Sequence, residues 1–338
     1  MTRRAGLPIS WRDAVQRLVD PAPSERHSAL AGRPLFVVDF GLSGEPDPDQ
    51  VARAAAELPR LPCVAIALGR PGSAELLDRF DVALESPEPL EAIEARVTRA
   101  PLAAQVLVEL LRASESLGVH DALVAESLAY SVLLAGPEFA EWLATREPVR
   151  APESAEDAVI VERDGGLLRI VLNRPERRNA WGRALRDACA EALSVAVADA
   201  SVEEIEIRGA GPAFCAGGDL AEFGTHPDPA TAHAVRSTRN VARQLAACSD
   251  RVHVRVHGAC VGAGIELPAF AARVTATPDA QFELPELALG LIPGAGGTVS
   301  LPRRIGRQRT AYLALSGTRI DARTARAWGL VDAVEGEG

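Results

Sequence analysis

"ELPELALGLIPGAGGT", residues 283–298, places two glutamates, Glu283 and Glu286, three positions apart inside an apolar run that closes on the turn Pro293-Gly294-Ala295-Gly296-Gly297. Upstream, "GACVGAGIELPAF", residues 258–270, sets a third glutamate, Glu266, among residues of core type. A carboxylate buried without a partner is destabilising, or takes up a proton as its pKa rises. A carboxyl that titrates near neutrality is what a general acid or base requires. Glu266 and Glu286, the latter between Leu284-Pro285 and Leu287, are therefore the candidate catalytic pair. Glu283 is the weaker candidate and is expected to be solvated.

The glycines around these glutamates point the same way. "GACVGAG" runs into a segment of helical character, and free N–H groups at a helix start suit a developing negative charge. Its spacing is GxxxGxG, so it is no dinucleotide fingerprint. A second loop, residues 209–219, carries no charge before Asp219, and Gly217-Gly218 permit backbone conformations that other residues resist. Two such loops face to face would form an oxyanion hole; either alone reads as a tight turn. His253 and His257 lie four apart with no third ligand in sight, so they read as structural and no metal is expected. Cys215 has no neighbouring base in sequence and reads as a small buried residue rather than a nucleophile.

The pattern outward from these motifs is α/β. "AVIVERDGGLLRIVLNRP" predicts a hairpin around Asp164-Gly165-Gly166, both glycines supplying positive φ. A helix from Trp181 follows, with Asn179 as its N-cap, then a strand at 203–208, a helix near 229–247 and the strand "RVHVRVHG". In the N-terminal part, "RPLFVVDF" (33–40), a helix around Val51–Leu58 and "PCVAIAL" (62–68) predict a βαβ unit, with "DVALE" (81–85) as a further strand. Beyond residue 88 the stripes are helical: Leu107 with Leu111; Val119, Leu123, Tyr130 and Leu133; Phe139 with Trp142 and Leu143. The polar stretch 145–158 reads as a linker, dividing a region 1–150 from a region 151–338.

Composition narrows the function classes. All 36 basic side chains are arginine, which removes Schiff-base, pyridoxal-anchoring and P-loop lysine chemistry. A net charge of −10 argues against a general nucleic-acid binder, and the apolar runs are too short and too interrupted for a membrane span. The first twenty residues read as an amphipathic helix rather than a signal peptide. Five cysteines, odd in number and without a CxxC pair, fit a reduced, cytoplasmic protein.

Taken in order, "LNRPERRNAW", "GPAFCAGGDLAEF", "VHGACVGAGIELPAFAARVTATPDAQFELPELALGLIPGAGGTVSLPRRIG" and "SGTRIDARTARAWGLVDAV" resemble the enoyl-CoA hydratase/isomerase (crotonase) superfamily over residues from about 158 to 335. The resemblance implies an α/β fold with a crotonase-like ββα spiral core, here preceded by a separate N-terminal α/β and helical region. It implies a lyase of fatty acid metabolism, an enoyl-CoA hydratase. Two glutamates, aligned with Glu266 and Glu286, would hold a water and add it across the 2,3-double bond of an acyl-CoA thioester. Glu286 would protonate the α-carbon by way of the water's proton, while Glu266 orients and activates that water. The family's oxyanion-hole N–H groups align with Cys215 and Ala263. Cys215, Ala216, Gly217 and Gly218 would line the coenzyme A site, and Arg177 and Arg178 would meet its phosphates. No cofactor is implied beyond the coenzyme A of the substrate, and a homo-oligomer, trimer or hexamer, is the family habit. Isomerase or thioester hydrolase chemistry, or an assisting subunit of an acyl-CoA complex, are the alternatives.

Two departures stand out. The usual glycine triplet is Gly262-Ala263-Gly264, and His253 and Arg255 interrupt a strand that is otherwise valine, so one of its faces is expected to meet a polar pocket or another domain. The resemblance also implies a helical tail after "AWGLVDAV". Residues 100–147 resemble that tail, so the N-terminal half is expected to be a degenerate repeat that supplies those helices.

Overall fold

The computed structural model describes residues 7–147 and 156–336. The expected βαβ unit is present: β1 (Leu35–Asp39), β2 (Val64–Leu68) and β3 (Val82–Leu84) form a parallel sheet in the order β1-β2-β3. Leu35 lies opposite Val64 and Ile66 opposite Val82. Strands of a parallel sheet covered on both faces read as continuous apolar runs, as these do. Phe36, Val38, Ala65 and Ala67 pack under helices Trp11–Val19 and Pro48–Glu57. Leu35, Val37, Val64 and Ile66 turn the other way, into the core shared with the rest of the chain. Helix 11–19 is the amphipathic helix expected; Ala14, Val15 and Leu18 are its buried stripe, and Ser10 caps it by accepting from Asp13 N at 3.1 Å.

The larger sheet is built from β4 (Val159–Asp164), β5 (Leu167–Leu172), β6 (Glu204–Gly209), β7 (Val252–Val256), β9 (Arg273–Ala276) and β12 (Ala333–Val334), in the order β12-β9-β7-β6-β5-β4. Only the β4–β5 hairpin is antiparallel, and of its two turn glycines Gly165 alone takes positive φ, at 58°. The polar residues of β7 pair with charges and hydroxyls of the same sheet face. They extend an ion-pair array on one sheet face, where Glu206 meets Arg208 at 2.6 Å, Arg169 at 3.5 Å and Arg255 at 3.8 Å. His253 completes that face through Thr275 Oγ1, 2.9 Å from its Nε2.

A small third sheet positions the site. In it β8 (Ala259–Val261) runs parallel to β10 (Gln281–Glu283), whose other edge pairs with β11 (Ile320–Asp321). Because Val261 lies opposite Glu283, the segments carrying Glu266 and Glu286 leave neighbouring strand ends side by side.

Two local expectations differ. Residues 229–247 form two helices, Pro229–Thr238 and Val241–Ala247, because Asn240 takes extended backbone and accepts from Arg243 N at 2.8 Å to start the second. Asn179 does not cap the following helix, which spans Arg183–Ala198 from Gly182. Fully buried at φ 53°, Asn179 instead accepts from Arg174 N and donates to the carbonyls of Ala210 and Ala213, tying its own loop to the loop after β6.

Helices Pro101–Ser114, Val119–Leu134 and Pro137–Ala144 fold onto the residues after 156 rather than standing apart. Their Leu107, Leu111, Leu123 and Phe139 share one continuous core with Val299, Leu301 and Leu313. Among the described residues no single helix is long and apolar enough to cross a membrane.

Candidate active site

The chain leaves β8 through Gly262, at φ 50° and ψ −117°, a combination that favours glycine, and enters the short helix Ala263–Glu266. A Cβ on Gly262 would lie 2.6 Å from Glu286 Oε1 and 3.8 Å from Glu266 Oε1, so both carboxyls face the same side of that turn. Glu266 Oε2 accepts from Ala295 N at 2.7 Å and Gly297 N at 2.9 Å, while its Oε1 takes no protein hydrogen bond among the described residues. Glu286 Oε2 is buried without a hydrogen-bond partner among the described residues. Burial pushes Glu286 up to about 8, with Glu283 adding in the same direction. Glu266 is also raised, first by burial and then by the charge of Glu286. The N–H groups of Ala295 and Gly297 favour charge on Glu266, while on Glu286 its own N–H and the charge of Arg96 favour it, in both cases against burial.

A third buried carboxylate holds the same glycine turn from the other side. Glu126, on helix 119–134, accepts from Gly296 N at 2.7 Å through Oε1, and from Thr298 N at 2.9 Å and Thr298 Oγ1 at 2.7 Å through Oε2. Burial raises it to about 7 against these bonds. Sequence reasoning passed it over, although Val119, Leu123, Glu126, Tyr130 and Leu133 form one helical stripe. A carboxylate on an apolar stripe is the signal that singled out Glu266.

The carboxyls open on a cavity of about 560 Å³, walled by residues of both halves of the chain, Leu123, Tyr130, Arg236, Gly218 and Ala263 among them. Ala263 is the first residue of its helix, and its N–H has no protein acceptor among the described residues. On the facing loop the donor is not the one expected. Cys215 N donates to Ala259 O at 3.1 Å, because residues 215 and 260 bridge as strands do, and its thiol, pushed to about 12 by burial, sits behind the cavity wall. Gly218 replaces it. Trp181 bonds to the flanking Gly217 O and Asp219 N, which leaves the N–H of Gly218 on the opposite edge and without a protein acceptor among the described residues.

The remaining candidates divide. Ala216 N is taken by Arg178 O at 2.9 Å, and Gly217 O by Trp181 N at 2.7 Å, so these two residues shape the loop. Arg177 pairs with buried Asp219 at 2.5 Å, whereas the side chain of Arg178 is exposed. Glu283 is held by Arg319 at 2.7 Å rather than solvated. His257 Nε2 bonds to Gly211 O at 2.9 Å.

Comparison with known proteins adds the following. Residues 162–337 match the family described as "Enoyl-CoA hydratase/isomerase". The chain is 37% identical over 176 residues, 52% of its length, to the 2,3-dehydroadipyl-CoA hydratase of Escherichia coli, of which the match covers 68%. It is 36% identical over 170 residues, 49% of its length, to the 1,2-epoxyphenylacetyl-CoA isomerase of the same organism, of which the match covers 65%, just under two thirds. Among solved structures, the enoyl-CoA hydratase of Thermoplasma volcanium is 37% identical with a TM-score of 0.49, over 54% of this chain and 73% of that one.

Proposed function

This chain belongs to the enoyl-CoA hydratase/isomerase family through residues 162–337, and from that premise we propose that it is an enoyl-CoA hydratase working through Glu266 and Glu286. The observation that carries the reading is the pair of carboxyls converging beside Gly262, one anchored by two N–H groups and the other with an unpartnered oxygen. The thioester oxygen sits between the N–H groups of Gly218 and Ala263. A water held by the two carboxyls attacks C3, the 2,3 π electrons move onto the thioester oxygen as an enolate, and Glu266 accepts the water's proton. The enolate collapses as Glu286 gives its proton to C2. Proton transfer from Glu266 to Glu286 restores the starting state, so the net change is one water added across the double bond. Losing one oxyanion donor costs roughly 10²–10³ in rate.

The test is hydration of crotonyl-CoA, followed as loss of the conjugated thioester absorbance. Wild type should turn over, and Glu266→Gln and Glu286→Gln should each lose about 10²–10⁴ of it with the fold intact. A well-folded wild type silent on crotonyl-CoA and on longer and aromatic enoyl-CoAs would overturn the hydratase reading. So would a Glu286→Gln variant of full activity. An isomerase working with one carboxylate would be the successor, and the similarity to an isomerase at 36% identity makes it the next assay.

A further inference from the structure

The cavity contains a cation that the hydration chemistry does not use. Arg236, on helix 229–238, lines the same space as Glu266 and Glu286. Its Nε donates to Ser127 Oγ at 3.2 Å, its Nη2 to Ser127 O at 3.2 Å and to Ser131 Oγ at 2.5 Å, and its guanidinium lies 4.7 Å above the ring of Tyr130. Every one of these partners is neutral. The other arginines on that side are occupied or outward: Arg186 pairs with Asp187 at 2.9 Å, Arg239 with Glu191 at 3.2 Å, and Arg183 is exposed. Arg236 has no carboxylate within ion-pair distance among the described residues. The field of Glu126 reaches it, yet both oxygens of Glu126 are spent on residues 296–298. Nη1 has no protein acceptor among the described residues.

A guanidinium in a cavity wall with only neutral partners lacks the counter-charge that would offset its lost hydration. A neutral acyl chain filling the cavity would strip more water from it and return nothing. A carboxylate would form charge-assisted, two-pronged hydrogen bonds, the geometry in which arginine is strongest. Leu123, Leu134 and Val235 lie in the same wall and suit methylenes between the thioester and the carboxylate.

We propose that Arg236 selects acyl-CoA thioesters whose acyl chain ends in a carboxylate, with Ser127, Ser131 and Tyr130 fixing its guanidinium. The inference rests on the acyl-CoA reading above but not on the hydration step. It is tested by calorimetric binding of saturated thioesters to the full chain, comparing butyryl-CoA with glutaryl-CoA and adipyl-CoA. Wild type should bind one of the carboxylate-ended compounds roughly ten- to a hundredfold more tightly than butyryl-CoA. Arg236→Leu should abolish that preference at unchanged affinity for butyryl-CoA, and Arg236→Lys should keep part of it. Equal or weaker binding of both carboxylate-ended compounds by wild type would overturn the proposal, whatever becomes of the variants. A preference that survives Arg236→Leu would overturn it too. Binding preference without hydration of any enoyl-CoA would sink the hydratase reading and leave this one standing; hydration of crotonyl-CoA without the preference would do the reverse.

Discussion

Glu266 and Glu126 grip one turn, residues 295–298, from opposite halves of the chain, and they do so differently. Glu266 uses a single oxygen on the N–H groups of Ala295 and Gly297 and leaves the other toward the cavity. Glu126 spends both oxygens on Gly296 and Thr298. Both are buried carboxyls of raised pKa. On the proposed reading, what separates the reactive carboxyl from the structural one is neither burial nor titration but whether an oxygen is left over. The comparison also shows why the N-terminal helices matter to a site whose motifs all lie after residue 170: without helix 119–134, half the N–H donors of the glycine turn would face nothing.

The hardest blow to the left-over oxygens should come from Gly262→Ala. A methyl group there would have to sit 2.6 Å from Glu286 Oε1, on a backbone at φ 50° and ψ −117° that alanine resists. Displacing a reacting carboxyl by about 1 Å is worth roughly 10² in rate. We expect at least that loss of crotonyl-CoA hydration with only a modest drop in melting temperature. Near-wild-type kinetics in this variant would mean that Glu286 does not need its observed position.

Glu126→Ala should invert the pattern. It strips the acceptors from two N–H groups and one hydroxyl at a buried turn, at a cost of about 2–4 kcal/mol. Urea denaturation should register that loss, and activity should fall because the turn that anchors Glu266 loosens. Glu266→Gln keeps an oxygen for the same turn and should lose activity while holding its stability. If Glu126→Gln were inactive at full stability, the division between the two glutamates would be broken.

A smaller effect concerns pH. Glu286 titrates near 4.5 in the unfolded chain and about 8 in the folded one. The folded state therefore binds more protons between these values, and the stability tied to that proton is complete below 4.5 and lost as pH rises through 8. Glu286→Gln removes this share of the dependence and leaves that of Glu266 and Glu126. Its urea midpoint should match wild type near pH 4.5 and exceed it at pH 8.5, by an amount on the order of a few kcal/mol at most. An equal advantage at both values would trace the gain to packing instead.

Much of this was legible because the sequence signals were local. The strands of the N-terminal sheet and those of the larger sheet up to residue 256 announced themselves by pattern, and Glu266 and Glu286 as carboxyls out of place among Leu, Ile and Pro. What escaped needed the third dimension. Asn179 has the chemistry of a cap, and only the fold brings Arg174, Ala210 and Ala213 within its reach. Glu126 is remote in sequence from the turn it holds. The polar side of β7 looked like the wall of a pocket, because alternation shows that a face is polar but not that Arg169, Arg208 and Glu335 wait on and beside neighbouring strands.

The oxyanion donor is the subtlest of these cases, and Cys215→Ser probes it at the bottom of the scale. The loop "FCAGGD" presents five consecutive N–H groups from Phe214 to Gly218, and nothing in residue types says which is free to face the cavity. Hydrogen bonding narrows the choice, because Cys215 N is committed to Ala259 O and Ala216 N to Arg178 O, and of the two glycines that follow only Gly218 lines the cavity. Serine keeps the backbone of residue 215 and nearly its volume. It exchanges a thiol that burial has pushed to about 12, and so holds protonated, for a hydroxyl with Gly217 O nearby. Activity on crotonyl-CoA should stay within about threefold and stability within about 1 kcal/mol, the scale of one neutral hydrogen bond. A loss of 10³ or more would make the sulfur a nucleophile and turn the site toward thioester hydrolysis, in which a covalent acyl-enzyme could be trapped and weighed by mass spectrometry.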